Sequence, residues 1–280
     1  MSKYFCTFVA FLRIIMEKIS KAQVKLVRSL QQKKFRDELG LFVAEGDKCV
    51  EELRKGFELV YLIRSQESGI RNQDNYLLAS PTEIEQMSGL RTPQGVVAVF
   101  KKVQRDDVQC TKGNLIVALD GIQDPGNLGT IIRTCDWFGV HDIVCSLDTA
   151  DCYNPKVVQA TMGALARVRI HYVDLPKWLE GIRSQESGVR IYGTLLDGKN
   201  MYEVLKSEGV KELKSEGIIV MGNEGNGISS EVRKYISHPI LIPSYSKNGA
   251  SVQNEEASEV IESLNVSIAT AIVLAEFRRP

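Results

Sequence analysis

The chain has 280 residues, of which 44% are hydrophobic and 25% charged, so it is long enough for two ordinary globular domains. Its 35 basic and 35 acidic residues give a formal net charge of zero, which excludes a nucleic-acid-binding protein that depends on a strongly basic overall charge. Any nucleic-acid site must therefore depend on local charge, and the basic surplus lies at the amino end.

Cysteine and histidine usage favours a protein of the reducing cytoplasm. The six cysteines include no C-x-x-C pair, and the three histidines show none of the usual metal-ligand spacings, so we predict buried thiols and no metal site. The apolar run at residues 4–15 is short and lacks a small-residue cleavage site, which argues against export and against a membrane anchor. The helical pattern from Lys18 needs nothing before it, so Met16 is a candidate first residue beside Met1.

The elements at residues 16–100 predict a small α/β domain. Apolar residues recur at helical spacing from Ile19 to Leu30 with Lys and Arg between them, which predicts an amphipathic basic helix that Gly40 helps to end. Ser80 and Glu83 form a capping box around Pro81, which predicts a short helix. The other elements expected in this domain are a helix at Asp47–Lys55 and strands at Leu41–Ala44, Leu59–Ile63, Tyr76–Ala79 and Val96–Phe100.

Residues 101–113 are polar and lack apolar periodicity, so they predict a linker to a second domain at 114–280. Six runs of the second domain are apolar on both faces, as strands of a buried parallel sheet are. They lie at Leu115–Leu119, Ile143–Cys145, Val168–Tyr172, Ile191–Leu195, Ile218–Met221 and Ile240–Ile242. Such sheets bind ligands beyond the carboxyl ends of their strands, so we expect the chemistry in the loops there.

The first such loop runs from Asp120 to Gly129 and leads into a helix that carries Arg133. Its glycines would let a ligand approach the backbone. Taken alone, the segment also fits a plain strand-to-helix turn in which Asn127 caps the helix and Arg133 lies exposed near Asp136.

Two further loops complete the set. The second, Met221 to Gly227, places glycines around Glu224 but lacks the Lys and Ser/Thr of a phosphate-binding loop, which disfavours nucleoside triphosphates and NAD. The third begins at Ile242-Pro243 and leads to a helix that is apolar on nearly every side through Phe277, so this helix must be buried in a core or in a subunit interface. Ser263 and Asn265 would cap it or belong to a site.

Together these loops resemble a known family. In their order along the chain, they are similar to the three motifs of the SpoU (TrmH-like) family of SPOUT RNA methyltransferases. The first is N-x-G-x-x-x-R at Asn127 to Arg133, and the second is G-N-E-G at Gly222 to Gly225. The third combines I-P at Ile242-Pro243 with S-L-N-V-S at Ser263 to Ser267. The first domain more weakly resembles the ribosomal-protein-like substrate-binding domain of family members, through Phe42-Val43-Ala44-Glu45-Gly46 and its order of elements.

The resemblance implies an S-adenosylmethionine-dependent ribose 2′-O-methyltransferase, acting on 23S ribosomal RNA as a homodimer. It implies a parallel α/β sheet with a carboxyl-terminal trefoil knot, a rare exception to unknotted topology. The backbones of Gly222, Ile242 and Leu264 would hold the cofactor. Arg133 would be the main catalytic residue, and the other catalytic positions would be Asn127, Glu224, Asn265 and Ser263.

The sequence leaves several points open. The segment Ser244–Glu262 is longer than the family's short loop, and we expect it to bulge outward without filling the cofactor pocket. Transfer RNA is an alternative substrate, since the modified nucleotide is not evident. A non-catalytic RNA-binding relative and an ordinary nucleotide-binding α/β enzyme are alternative functions.

Overall fold

The computed structural model of the chain describes residues 17–65, 76–103, 108, 114–185, 188–207, 216–245 and 264–279. The chain forms two compact units: Met1–Gln104 with Tyr153–Ala166, and Arg105–Cys152 with Arg167–Pro280. The segment Tyr153–Ala166, which belongs to the predicted second domain, thus groups with the first unit. The predicted linker is described only at 101–103 and 108.

The first unit is built on a five-stranded mixed sheet in the order β1-β4-β3-β5-β2. Its strands are β1 (Glu17–Lys18), β2 (Leu41–Glu45), β3 (Leu59–Arg64), β4 (Tyr76–Leu78) and β5 (Val96–Lys101). Its helices are α1 (Lys21–Ser29), α2 (Lys33–Leu39), α3 (Asp47–Leu53), α4 (Pro81–Met87) and α6 (Pro155–Thr161), with a 3₁₀ turn at Ala164–Ala166. The predicted capping box at Ser80 and Glu83 is confirmed at the start of α4.

The predicted basic helix is in fact two helices. A capping box between Ser20 and Gln23 starts α1, and the chain turns after Ser29 before α2 begins. The turn is held by the buried Arg36, whose Nη1 donates to the carbonyl oxygens of Leu30 at 2.9 Å and Gln31 at 3.0 Å. A side chain from the second helix thus satisfies carbonyls that a continuous helix would have bonded internally.

The second unit contains the six predicted strands, and every pair of neighbours runs parallel, in the order β11-β9-β10-β6-β7-β8. They are β6 (Leu115–Asp120), β7 (Asp142–Ser146), β8 (Arg169–Val173), β9 (Ile191–Asn200), β10 (Gly217–Gly222) and β11 (His238–Leu241). The expected α/β fold with a parallel sheet is confirmed. β6 is buried at all six positions, because the sheet is covered on both faces.

Five helices of the second unit are described: α5 (Pro125–Trp137), α7 (Leu175–Gln185), α8 (Met201–Ser207), α9 (Ser230–Arg233) and α10 (Val266–Phe277). α5 starts at the carboxyl end of β6, and α10 packs against α5. The described helices include none that is long and apolar enough to cross a bilayer. Ser263 and most of the long segment Ser244–Glu262 lie outside the described residues.

Candidate active site

Helix α5 starts one residue after Asp124, whose carboxylate accepts a hydrogen bond from the backbone N–H of Asn127 at 2.7 Å. Pro125 occupies the first helical turn, where its missing N–H costs nothing. The interpretation of Asn127 as the helix cap is therefore wrong: Asp124 caps the helix. The amide side chain of Asn127 is left available for other contacts.

The loop after β10 is a tight turn that brings Glu224 to Asn127. Asn223 and Gly227 exchange two backbone hydrogen bonds, of 3.0 and 2.8 Å. A Cβ on Gly222 would lie 2.3 Å from the carbonyl carbon of Gly227, so only glycine fits before this turn. Within the turn, the Glu224 carboxylate accepts a hydrogen bond from the Asn127 amide.

Asn265 serves both as a helix cap and as a member of this cluster. Its Oδ1 accepts from the backbone N–H groups of Ser267 and Ile268, at 3.0 and 3.4 Å, so the predicted alternative of capping is confirmed. Its Nδ2 donates to Oδ1 of Asn127 at 2.9 Å. The cap and the contact with Asn127 therefore use different atoms of one side chain.

These contacts determine how each amide is oriented. Oδ1 of Asn265 must be the oxygen because it accepts from backbone donors, so Nδ2 faces Asn127. Asn127 must then offer its own oxygen to Asn265 and its NH₂ group to the acceptor-only carboxylate of Glu224. One hydrogen-bond chain thus joins side chains from all three predicted motifs.

Arg133 lies on α5 and is exposed. No hydrogen bond or ion pair joins its side chain to another residue among those described. Glu224 is accordingly not bonded to it. Asp136 instead accepts hydrogen bonds from Arg167, from Nε to Oδ1 at 3.0 Å and to Oδ2 at 3.1 Å, and from Nη2 to Oδ2 at 2.8 Å. The structure therefore leaves a free guanidinium on the helix that carries Asn127.

The residues predicted to hold the cofactor lie at the carboxyl edge of the sheet. Ile242 follows β11 and is half-buried, while the Leu264 side chain, just before α10, is 47% exposed. β9 bulges beside β11, where the pairing shifts between Pro239 and Ile240, and in this stretch Leu196 is 76% exposed. The exposed apolar side chains can pack against the flat base of a nucleoside-containing ligand, and the turn at Gly222, which excludes a side chain, lets the ligand approach the backbone.

Some features of this site were not evident from the sequence. The exposure of Leu196 follows from the bulge in β9, and the contacts of Asn223 follow from the turn, so no local pattern announced either. Ser263 lies outside the described residues, and its predicted place in the site stays a prediction. Among the described residues, no group of three or more His, Cys, Asp or Glu side chains is arranged to hold a metal ion.

Sequence profiles of known families cover both units. Residues 114–275, more than half of the chain, match the SpoU rRNA Methylase family. Residues 21–98 match the MRM3-like substrate binding domain. The second match covers most of the predicted first domain.

Individual relatives match along nearly the whole chain. The 23S rRNA (guanosine(2553)-2′-O)-methyltransferase RlmP of Bacillus subtilis is 28% identical over 94% of this chain and 98% of its own length. A solved protein of Porphyromonas gingivalis, assigned to the TrmH family of RNA methyltransferases, is 34% identical with a TM-score of 0.76, over 93% of this chain and 98% of its own. An rRNA methyltransferase of Sinorhizobium meliloti, solved with S-adenosylmethionine bound, is 29% identical with a TM-score of 0.76, over 94% of this chain and 97% of its own. The chain belongs to the SpoU rRNA methylase family of S-adenosylmethionine-dependent RNA methyltransferases.

Proposed function

We propose that the protein methylates a ribose 2′-hydroxyl of 23S ribosomal RNA. The observation that carries this proposal is the chain of hydrogen bonds from Glu224 through Asn127 to Asn265. Its middle member, Asn127, lies on the same helix as Arg133, whose side chain has no partner among the described residues. The substrate is inferred from two relatives named as 23S rRNA methyltransferases, RlmP of Bacillus subtilis and RlmB of Neisseria meningitidis, and from the substrate-binding domain that precedes the catalytic one.

The reaction places demands that these side chains can meet. S-adenosylmethionine would supply a methyl group on a sulfonium. The new bond would join this carbon to the ribose 2′ oxygen, the electron pair of the broken carbon–sulfur bond would stay on sulfur, and the hydroxyl proton would pass to water. Positioning the ribose oxygen is a large part of the catalysis of such an in-line displacement. Negative charge develops on that oxygen, so a fixed positive donor beside it lowers the barrier.

Arg133 is the group we assign to this oxygen. A guanidinium offers five donors in a planar fork, which lets it contact both the 2′ oxygen and a neighbouring phosphate. Its side chain has no competing partner among the described residues. In this assignment Arg133 acts as a hydrogen-bond donor to the 2′ oxygen.

We assign Asn127, Glu224 and Asn265 to the part of the site that positions the ribose. The amides of Asn127 and Asn265 are oriented by the helix cap at Ser267 and Ile268 and by the Glu224 carboxylate, so they offer fixed donors and acceptors. We assign Ser263 to the same loop, next to Asn265 in the third motif. Gly222, Ile242 and Leu264 would hold the cofactor through backbone groups and an apolar wall, to which the exposed Leu196 adds.

Three further properties belong to the proposal. The first is that the carboxyl-terminal segment forms a trefoil knot. In the sheet, β10 lies between β9 and β6, and β11 returns to the other side of β9, which supports a threaded connection. An experimentally determined path for residues 242–264 tests this. The protein acts as a homodimer through the exposed apolar face of α10. It works in the cytoplasm, in line with the four buried cysteines among the described residues, which form no disulfide there; cell fractionation tests this.

The direct test is methyl transfer from radiolabelled S-adenosylmethionine to separated ribosomal and transfer RNA. We expect label in 23S rRNA with the wild-type protein and none with Arg133→Ala, which should still bind the cofactor. Label only in transfer RNA would keep the chemistry and overturn the substrate. Cofactor binding without transfer to any RNA, including intact ribosomal subunits, would contradict the proposal.

A further inference from the structure

Helix α1 presents three basic side chains on one face. Lys21, Lys25 and Arg28 are separated by four and then three residues, which aligns them along the helix, and all three are exposed. Val24 and Val27, on the other face, are buried in the core of the first unit. The helix contains no acidic residue that would offset the three charges.

These side chains are also unpaired. None of the three makes a side-chain hydrogen bond or ion pair with another residue in the parts of the chain that are described. Other basic residues of the same unit have acidic partners: Arg54 with Glu51 at 3.6 Å, Lys55 with Glu52 at 2.5 Å, and Lys101 with Glu58 at 2.7 Å. The basic residues of α1 differ from these three: they lie along one helix face, and no acidic side chain among the described residues compensates them.

The arrangement acts against the stability of the helix. Like charges three or four residues apart repel each other, so Lys21 with Lys25 and Lys25 with Arg28 destabilise α1. The helix is held by other means, namely the capping box at Ser20 and the buried valine face. A polyanion bound along this face would turn the repulsion into attraction, whereas a face that only confers solubility mixes charges of both signs.

We propose that Lys21, Lys25 and Arg28 bind the phosphate backbone of the RNA substrate. The inference rests on the proposed function, which makes RNA the polyanion concerned. Lys21 and Arg28 lie about 10 Å apart along the helix axis, which suits contact with a few successive phosphates. Phosphate contacts position the RNA and carry no sequence information, so these residues set affinity and register and not the choice of nucleotide.

The test compares two triple variants in binding to full-length 23S rRNA transcribed in vitro. One variant carries Lys21→Gln, Lys25→Gln and Arg28→Gln. The control carries Arg54→Gln, Lys55→Gln and Lys101→Gln, which removes the same amount of charge from paired positions of the same unit. The dissociation constant is measured over a range of salt concentrations, and S-adenosylmethionine binding serves as the check on folding.

We expect the first variant to bind RNA about tenfold more weakly than the wild type. The plot of the logarithm of the association constant against the logarithm of the salt concentration should become less steep by about two to three, since each lost phosphate contact removes about 0.7–0.9 from the slope. The control should keep the wild-type slope. An unchanged slope in the first variant, or an equal loss in the control, would overturn the inference. Failure of the proposed function is separate, because it appears as wild-type protein that binds rRNA but transfers no methyl group.

A second, independent observation concerns Asn223, the residue before Glu224. Its Nδ2 donates to the backbone oxygen of Gly121 at 2.7 Å, in the loop that leads to α5. Its Oδ1 accepts from the backbone N–H groups of Gly225 at 2.8 Å and Asn226 at 3.3 Å. One amide therefore closes the turn that carries Glu224 and also ties this turn to the loop that precedes Asn127.

The geometry points to Asn223 as a positioning residue for the reaction. It bonds to no member of the catalytic chain through its side chain, but it sets the distance between the segments that carry Glu224 and Asn127. Its NH₂ group makes the hydrogen bond to Gly121, and its oxygen accepts the hydrogen bonds that close the turn. A substitution that removes the donor and keeps the acceptor therefore tests whether Asn223 positions Glu224 relative to Asn127.

Asn223→Asp keeps an acceptor for Gly225 and Asn226 but loses the donor to Gly121. We expect kcat to fall by about tenfold to 100-fold with the KM for S-adenosylmethionine nearly unchanged, because small misplacements cost about this much. Asn226→Asp is the control, with the same charge change in the same turn. A kcat of Asn223→Asp equal to that of the wild type would show that the hydrogen bond to Gly121 does not affect catalysis. An equal loss of kcat in Asn223→Asp and in the control would show an effect of charge alone. Either result would overturn the inference.

Discussion

At the scale of single residues, the side chain of Asn265 has two roles: its oxygen caps α10, and its NH₂ group donates to Asn127. Asn265→Asp keeps the helix cap, since aspartate caps as well as asparagine does, but cannot donate to Asn127. We expect the free energy of unfolding to change by less than about 0.5 kcal/mol and kcat to fall by about 100-fold.

The matched control is Asn154→Asp, because Asn154 caps α6 by accepting from the backbone N–H of Lys156 at 2.9 Å. Thermal unfolding and single-turnover methylation of both variants decide the matter. Full activity in Asn265→Asp would mean that the cap is the whole role of this residue.

A second residue-scale prediction concerns Asp142 at the start of β7. Burial would raise the pKa of its carboxyl, but hydrogen bonds from the buried His171 at 3.1 Å and from Arg169 at 2.6 Å outweigh this and hold the pKa well below its usual range. A depressed pKa contributes stability above the unfolded value, about 3.9, and this contribution is lost as the pH falls toward the folded value.

Asp142→Asn should therefore destabilise the protein by about 2 kcal/mol at pH 7, and the difference from wild type should shrink as the pH falls below about 4. Urea unfolding over this pH range measures it. A difference that grows toward acid pH would contradict the assignment of the effect to this carboxylate.

At the scale of elements, the junction of α1 and α2 depends on Arg36. Arg36→Met keeps much of the volume but leaves the carbonyl oxygens of Leu30 and Gln31 without this donor in a buried site. We expect a loss of about 2–3 kcal/mol in the free energy of unfolding. Arg54→Met, at an ion pair with Glu51 of 3.6 Å, should cost less than about 1 kcal/mol, and equal losses in the two variants would refute the bridging role.

Elements whose pattern is local were predictable, and those decided by distant contacts were not. β6 and β10 were evident because runs apolar on both faces belong to buried parallel strands. The break between α1 and α2 was missed because it depends on the side chain of Arg36, six residues beyond Leu30. The interpretation of Asn127 as the cap was wrong for a different and local reason: Asp124 and Pro125, just before it, already supply a complete helix start.

The same distinction holds for the candidate site. Motifs in order along the chain identified Asn127, Glu224 and Asn265, but which atoms they share depends on how α5, the β10 loop and α10 meet in space. Arg133 was singled out by its motif, and its lack of a partner among the described residues became evident only in three dimensions.

At the scale of the whole molecule, α10 predicts how two copies of the protein associate. Leu264 and Ile268, which are 47% and 54% exposed, lie four residues apart, and the half-buried Ile272 follows at the same spacing. An apolar stripe of this kind is typical of a buried subunit interface.

Ile268→Glu should weaken the dimer by about 2–4 kcal/mol, enough to yield monomers at micromolar concentration. Leu39→Glu is the control, because Leu39 is 44% exposed on α2 of the first unit. Analytical ultracentrifugation compares them. A monomeric wild-type protein, or an Ile268→Glu variant that remains a dimer, would contradict this interface.

The central claim is ribose methylation by a site that includes Arg133. Its most direct test is mass spectrometry of nucleosides from 23S rRNA after reaction with S-adenosylmethionine that carries a deuterated methyl group. Fragmentation separates the ribose from the base, so it shows which part carries the label. We predict the label on the ribose with wild-type protein and its absence with Arg133→Ala. A label on the base, or equal ribose labelling by Arg133→Ala, would contradict the account.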